Sequence, residues 1–380
     1  MLGPVLLMLP LGFLVAAPLS ALLVVLGRKA GTLDSAGVQG HAKLLRPIPN
    51  IGGLAIAAGT LLPLFAGLVV LATMGDEVAV RFESLESFTD RLESQQMAWW
   101  TIAVGGLAMH LLGLIDDRRA IGPWFKLALQ LGFAAAVVVI GDLRLVTVLD
   151  VFGPMGTATS AVLTVVWIVA ICNAINFLDN MDGLSGGVAA IAAAVFLAAT
   201  IINGQWFTAA AFALLCGSLL GFLLQNVPPA RLFMGDGGAL LVGWLLATLT
   251  VRTTFVDTSD PDFALGTAWY GVLMPVMVLA IPIYDLVAVS LLRIRQGRSP
   301  LRGDQQHLSH RLVLLGLSKR SAVIVIWSLT AATGVGGIVL GSVVPWQASL
   351  IGAQTVCIVL ALALLEAGAR RRSGGGQDPA

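Results

Sequence analysis

The sequence predicts an all-α, polytopic integral membrane protein of about eleven transmembrane helices, with its N-terminus outside and its C-terminus inside. Three observations predict this. Of 380 residues, 57% are hydrophobic and only 11% are charged, with mean hydropathy +0.91; a soluble domain carries about 25% charged residues. The apolar residues run continuously rather than alternating, which specifies helices and not a barrel. The polar residues gather in five short islands, at 40–53, 116–117, 173–187, 233–238 and 304–311. Counting spans puts all five on one side, as expected of an enzyme working at a membrane surface.

About 20 apolar residues cross a bilayer. The first run, 4–26, is longer than a signal-peptide core and no basic residue precedes it, so it is expected to be a retained helix. Further spans are expected near 51–72, 99–115, 124–141, 158–175, 184–203, 207–226, 237–255, 268–292, 321–343 and 347–366. Residues 1–369 form one multi-pass domain on this reading, and 370–380 a disordered cytoplasmic tail, basic and then Gly-rich. Lys and Arg set the orientation. With the first helix running outside to inside, eighteen of the 22 fall on the inner side. Only Arg81, Arg91, Arg144 and Arg252 fall outside, and the outer loops near 76–93 and 257–262 are acidic. Cys172, Cys216 and Cys357 lie scattered in apolar runs, which excludes a disulfide framework or a zinc site.

Each island has its own chemistry. Residues 111–126 read LLGLIDDRRAIGPWFK, so Asp116 and Asp117 end an expected helix at the inner face. Adjacent carboxylates repel and want a cation or a shared proton; a hard divalent ion bridging to phosphate is one solution, and a solvated helix end facing Arg118 and Arg119 is the other. Residues 173–187 read NAINFLDNMDGLSGG. Asn173 and Asn176 share a helical face, as do Asp179 and Asp182, and such groups are costly in lipid. Residues 233–238 read FMGDGG. Glycines around Asp236 permit close backbone approach at a helix N-terminus that favours anions, although a capping Asp has the same signature. Residues 304–311 read DQQHLSHR. His307, His310 and Arg311 suit a pyrophosphate better than zinc, which would need further ligands; a basic loop touching lipid head groups is the plainer alternative. In GHAKLLRPIPNIGG, at 40–53, His41, Lys43 and Arg46 could hold a lipid phosphate before a stiff Pro turn.

The order and spacing of these motifs resemble the polyprenyl-phosphate N-acetylhexosamine-1-phosphate transferase family over about 34–324, most of the chain. The Asp-Asp pair after GLI, the NAxNxxDxxDGL stretch, FMGD and the HxxHR loop carry the likeness together. The HxxHR loop is more similar to the N-acetylglucosamine branch than to the phospho-N-acetylmuramoyl-pentapeptide branch. The resemblance implies that a polyprenyl (undecaprenyl) phosphate attacks the β-phosphorus of a UDP-N-acetylhexosamine, with UMP leaving. It implies magnesium as cofactor, with manganese as a substitute. It also implies site roles. Asp236 and Asn176 hold the metal; Asp116, Asp117 and Asp179 are catalytic, with Asp116 the base on the lipid phosphate. Asp182 and Phe233 contact uracil, Lys126 and Asn173 lie near the nucleotide, and His307, His310 and Arg311 bind the pyrophosphate. Leu44 stands where relatives often carry His, so the resemblance leaves the lipid phosphate to a neighbouring basic residue, Lys43 or His41. The expected partners are the UDP-sugar, the lipid phosphate and the bilayer of a bacterial plasma membrane, with no nucleic acid. A homodimer is admitted, with no residue marking its interface.

The chief rival class is a secondary transporter, which also shows intramembrane acids and interrupted helices. These acids fall at expected inner helix ends rather than at the midplane, and the sequence shows no inverted repeat. A non-catalytic lipid-binding scaffold is the third reading, disfavoured because every acid of the pattern is present.

Overall fold

The computed structural model of the chain describes residues 1–31, 48–81, 95–253, 273–300, 306–340 and 343–374, with the backbone alone at 75–81 and 369–374. The elements are helices: α1 (Leu2–Ala30), α2 (Gly53–Arg81), α3 (Gln96–Arg118), α4 (Pro123–Gly141), α5 (Pro154–Leu178), α6 (Leu184–Ile202) and α7 (Trp206–Asn226). They continue with α8 (Gly235–Thr253), α9 (Met274–Val278), α10 (Ala280–Arg295), α11 (Leu308–Leu314), α12 (Lys319–Val339) and α13 (Pro345–Gly374). Nine of the described helices are long and apolar enough to cross a membrane: α1, α2 as far as Met74, α3 to α7, α12, and α13 as far as Gly368. This is a polytopic membrane architecture. The acidic outer loops expected near 76–93 and 257–262 lie outside the residues whose side chains are described, as does the segment carrying Lys43. The helix α13 runs to Gly374, into the stretch expected to be tail.

The two remaining expected spans take other forms. At 237–255 stands α8, with Asp236 in its first turn and Arg252 in its last, and with every residue from Gly237 to Val251 buried. A helix that is apolar all round belongs inside a bundle. It is the central post, packed most extensively by α3 and α5 and also by α2. The expected span 268–292 is broken at Leu279 into α9 and α10. The physical reason is Pro282: it has no N–H for the carbonyl of Val278, and its ring crowds that carbonyl.

Lipid supplies no hydrophobic drive for one helix to prefer another, so close packing of small residues does the work. The helices α1 and α7 show it. A Cβ built on Gly217 would lie 2.0 Å from the Leu9 carbonyl oxygen, one on Gly12 would lie 2.5 Å from that of Leu214, and one on Gly221 would lie 2.8 Å from the Ala17 nitrogen. Gly217 and Gly221 form a small-xxx-small pair on α7. On the far side of α6, Gly187 faces the Trp327 indole of α12 at 2.1 Å by the same measure.

The polar islands meet at one end of this bundle through backbone bonds. Phe233 N donates to the Pro49 carbonyl (2.8 Å), Gly52 N to that of Phe233 (2.9 Å), and Gly53 N to that of Met234 (2.9 Å). The 48–53 entry to α2 is thereby laid along the FMGD loop. Gly53 and Gly238 touch backbone to backbone.

The α1–α7 contact yields a test. Gly217→Leu should lower the melting temperature of the detergent-purified protein, at a cost of about 1–3 kcal/mol for overpacking. A melting temperature equal to wild type would mean the helices do not cross this closely.

Candidate active site

The centre of the polar end is Asp236, in the first turn of α8. Gly235 before it has φ +70°, a left-handed conformation that L side chains rarely adopt. A Cβ there would also lie 2.3 Å from the Asn50 carbonyl oxygen. The turn therefore needs glycine twice over, for its angle and for its contact.

The first turn of α8 is held from α3. Asp117 accepts the N–H of Asp236 at 3.1 Å on one oxygen and that of Gly237 at 3.2 Å on the other. These are orphan donors of a helix start, satisfied by a carboxylate from a neighbouring helix. One helical face further along, His110 Nδ1 lies 3.0 Å from the Gly237 carbonyl oxygen. A carbonyl only accepts, so that nitrogen carries the proton. Between them Gly113 lets the backbones touch, since a Cβ there would be 2.3 Å from the Asp236 carbonyl oxygen. His110, Gly113 and Asp117 thus form a cradle that fixes the backbone of Asp236.

The Asp236 side chain meets partners from two further helices. Lys126 Nζ, near the start of α4, bonds one of its oxygens, and donates to Asp116 Oδ2 at 2.9 Å. Asn176 Nδ2, near the end of α5, donates to the other at 3.0 Å. Asp116 also accepts the N–H of Ile121 at 3.0 Å, which closes the α3–α4 turn. The side chains of Lys126, Asp116 and Asp236 are 12%, 18% and 36% exposed, so the cluster borders an opening. Two carboxylates from different helices converge on one ammonium.

The other expected residues fall around this core. Asp182 accepts the Ala230 N–H at 3.1 Å and so holds the loop before FMGD. Asn226, buried, accepts from Gly183 N at 3.1 Å and donates to the Leu232 carbonyl at 2.8 Å, tying the same loop from α7. Phe233 is half-buried, and Asp179 caps the end of α5. Asn173 turns to Gln130 of α4 (2.7 Å) and to the Val169 carbonyl (2.8 Å), rather than bonding Asp236 as Asn176 does.

The histidine loop docks on α5. Ser309 Oγ donates to Asn180 Oδ1, and the His307 ring meets Phe177 edge-on at 5.5 Å. His307 Nδ1 lies 3.0 Å from Asp285 Oδ2. All three guanidinium nitrogens of Arg311 bond within the protein: Nε to Glu366 (2.9 Å), Nη1 to the Gln306 carbonyl (2.6 Å) and Nη2 to Asp285 (3.4 Å). His310 is half-buried. Burial lowers its pKa below the ordinary value, and His307 and Lys319 act in the same direction against Asp285. At neutral pH it offers a hydrogen bond rather than a charge.

Sequence reasoning passed over His110, Asn226, Asp285 and Glu366. Asp285 and Glu366 did carry a signal, as lone carboxylates inside the expected spans 268–292 and 347–366. His110 and Asn226 sit in apolar stretches with no local pattern to mark them.

The two members of the acidic pair should separate in a paired measurement. Asp117→Ala leaves two buried N–H groups without their acceptor, and should lower the melting temperature together with turnover, by about 1.5–3 kcal/mol for a charged acceptor. Asp116→Asn and Asp236→Asn, nearer the opening, should abolish turnover with melting temperatures close to wild type. Thermal unfolding alongside an activity assay checks this, and equal destabilisation by all three would mean the pair is not divided in this way.

Residues 99–254, which include the cradle, Lys126 and the α5–α8 turns, match the family described as Glycosyl transferase family 4. The chain is 30% identical to the decaprenyl-phosphate N-acetylglucosaminephosphotransferase of Mycolicibacterium smegmatis, over 88% of this chain and 82% of that one. It is 31% identical to the protein of the same name from Mycobacterium tuberculosis, over 83% and 78%. It is 32% identical to the undecaprenyl-phosphate alpha-N-acetylglucosaminyl 1-phosphate transferase of Haemophilus influenzae, over 61% and 65%. With these motifs assembled on one helix-end site and this identity across most of its length, the chain belongs to the polyprenyl-phosphate N-acetylhexosamine-1-phosphate transferases of glycosyl transferase family 4.

Proposed function

We propose that the protein transfers N-acetylglucosamine-1-phosphate from UDP-N-acetylglucosamine to a polyprenyl phosphate of the undecaprenyl type, giving a polyprenyl-pyrophosphoryl sugar and UMP. The carrying observation is the convergence of Asp116 and Asp236 on Lys126, with Asn176 on the second oxygen of Asp236, at a partly open helix-end site. A lipid-phosphate oxygen ends bonded to the β-phosphorus of the nucleotide sugar, and the bridging oxygen leaves with UMP. Both reactants are anionic, so the protein's part is positioning and charge neutralisation.

The residues divide the work. Asp116 accepts the proton of the lipid phosphate. Lys126 neutralises the carboxylates and, as phosphates arrive, the developing charge on them. Asp182 and Phe233 hold the uracil beside the 226–234 loop, which Asp182 already ties down. His307 and His310 line the diphosphate side. The donor set fits magnesium. Among the described residues no three His, Cys, Asp or Glu side chains group to cage a metal, and magnesium commonly takes one or two carboxylates and fills its shell with water and substrate phosphates. Asp236 and the amide oxygen of Asn176 would hold it, where it would supply Lewis-acid polarisation of the phosphates.

The chain crosses the membrane eleven times on this reading. Besides the nine apolar helices, α8 and the α9–α10 pair each make a crossing. The N-terminus lies outside, and the site faces the cytoplasm of a bacterial plasma membrane. The excess of Lys and Arg on the side of the site supports this orientation. A homodimer is compatible with it. The transporter reading lacks a midplane site, because the acids of this cluster stand at helix ends.

Purified protein given undecaprenyl phosphate and UDP-N-acetylglucosamine should release UMP with magnesium and not with excess EDTA. Release that ignores either the lipid or the chelator would sink the reading, and a panel of UDP-N-acetylhexosamines ranks the sugars. For orientation, Arg119→Cys in a Cys357→Ser background should react with a membrane-impermeant maleimide from the cytoplasmic face. Labelling from the outer face alone would reverse the topology.

A further inference from the structure

The last helix presents a puzzle of charge. Only 11% of the apolar stretch of α13 is buried against the rest of the chain, so it is a peripheral helix of the bundle. It nevertheless carries Glu366 at 5% exposure. A carboxylate inside a span is costly unless it is paired. Here both oxygens are used: Oε1 accepts from Arg311 Nε at 2.9 Å and Oε2 from the Tyr284 hydroxyl at 2.8 Å.

The contacts continue inward. Arg311 Nη1 grips the Gln306 carbonyl at the start of the histidine loop, and Nη2 reaches Asp285. Asp285 takes the Leu308 N–H at 2.6 Å and faces His307 Nδ1 at 3.0 Å. His307 lies on Phe177, and Ser309 is bonded to Asn180. Phe177 and Asn180 flank the end of α5, next to Asn176 and its bond to Asp236. A continuous set of contacts therefore runs from the peripheral last helix to the α5 side of the site. Asp116 and Lys126 approach Asp236 separately, from α3 and α4.

We propose that Glu366 is a positioning residue for the reaction: through Arg311 it fixes the histidine loop against α5, so that the last helix governs engagement of the diphosphate of the nucleotide sugar and not of the lipid phosphate. The proposal rests on the functional reading above. Glu366 touches no substrate. Without its charge, Arg311 keeps only Asp285 as a counter-ion among the described residues, and Asp285 is shared with His307. The loop then loses the contact that sets its angle.

The test compares wild type, Glu366→Gln and Tyr284→Phe as full-length protein in nanodiscs, measuring the KM for each substrate and the melting temperature. Glu366→Gln keeps the shape and removes the charge. It should raise the KM for UDP-N-acetylglucosamine roughly tenfold, a loss of about 1.4 kcal/mol, and hold that for undecaprenyl phosphate within roughly twofold. Two unchanged KM values, or two that rise together with a falling melting temperature, would overturn it, the second outcome marking a merely structural tie. Should Glu366→Gln not fold, Tyr284→Phe decides, because it removes one bond and leaves both charges. A several-fold rise in the nucleotide-sugar KM alone then supports the proposal, and a wild-type value overturns it. Wild-type protein that releases UMP from no UDP-N-acetylhexosamine would instead overturn the functional reading, and this inference with it.

Discussion

The site depends on how α3 grips the first turn of α8. A buried helix start leaves backbone N–H groups without partners, and α8 is buried along almost its whole length. Asp117 satisfies two of those groups with one carboxylate, and His110 takes the carbonyl of the next residue. Water, which would otherwise do this, cannot be relied on inside a packed bundle. The backbone of Asp236 is thereby fixed independently of its side chain, which stays available to Lys126 and Asn176. The adjacent pair Asp116-Asp117 does two jobs because successive residues on a helix point about 100° apart: one carboxylate faces α8, the other the opening.

The opening carries a charge balance suited to anions only with a cation present. Among the described residues, Asp116 and Asp236 share a single ammonium, which leaves that group of side chains with an excess of negative charge. Two phosphates would not enter such a place unaided. A divalent ion at Asp236 would reverse the sign of the local field, and Lys126 would then be free to turn from carboxylates to phosphates. That is a physical reason to expect metal dependence, separate from any likeness to relatives.

Much of this was legible in the sequence because lipid permits so few architectures. Continuous apolar runs specified helices, and nine of the described helices have the expected length and character. The expectations weakened where a local rule met a tertiary one. Pro282 divides a run that hydropathy alone treats as one span. At the site, Asn176 announced itself as an amide in a costly place, Asp116 as half of a repelling pair and Asp236 by its flanking glycines, while Lys126 was marked by the resemblance alone; the structure brings the four together. The division of labour within the Asp pair could not be read, since it depends on which neighbour each carboxylate faces. The cradle was equally silent: His110 and Gly113 lie seven and four residues before Asp117 in an ordinary apolar helix. Arg311 was legible by its charge, while its partners within the chain, Asp285 and Glu366 at sequence separations of 26 and 55, were not.

The two sides of the site are built by different physics. On the α3–α8 side, glycines bring backbones into contact and hydrogen bonds fix them, which leaves little room for adjustment. On the α10–α13 side, two carboxylates, a guanidinium and an imidazole stand close together beside a broken helix and a seven-residue one. Such clusters are poor sources of stability, since apolar residues of the same volume often serve as well or better. What they supply is direction, because a charge-assisted bond constrains angle as well as distance. A rigid half holding Asp236, and a half whose pose is set by a few directed bonds, suits the proposed reaction, in which one substrate would arrive from the bilayer and the other from water.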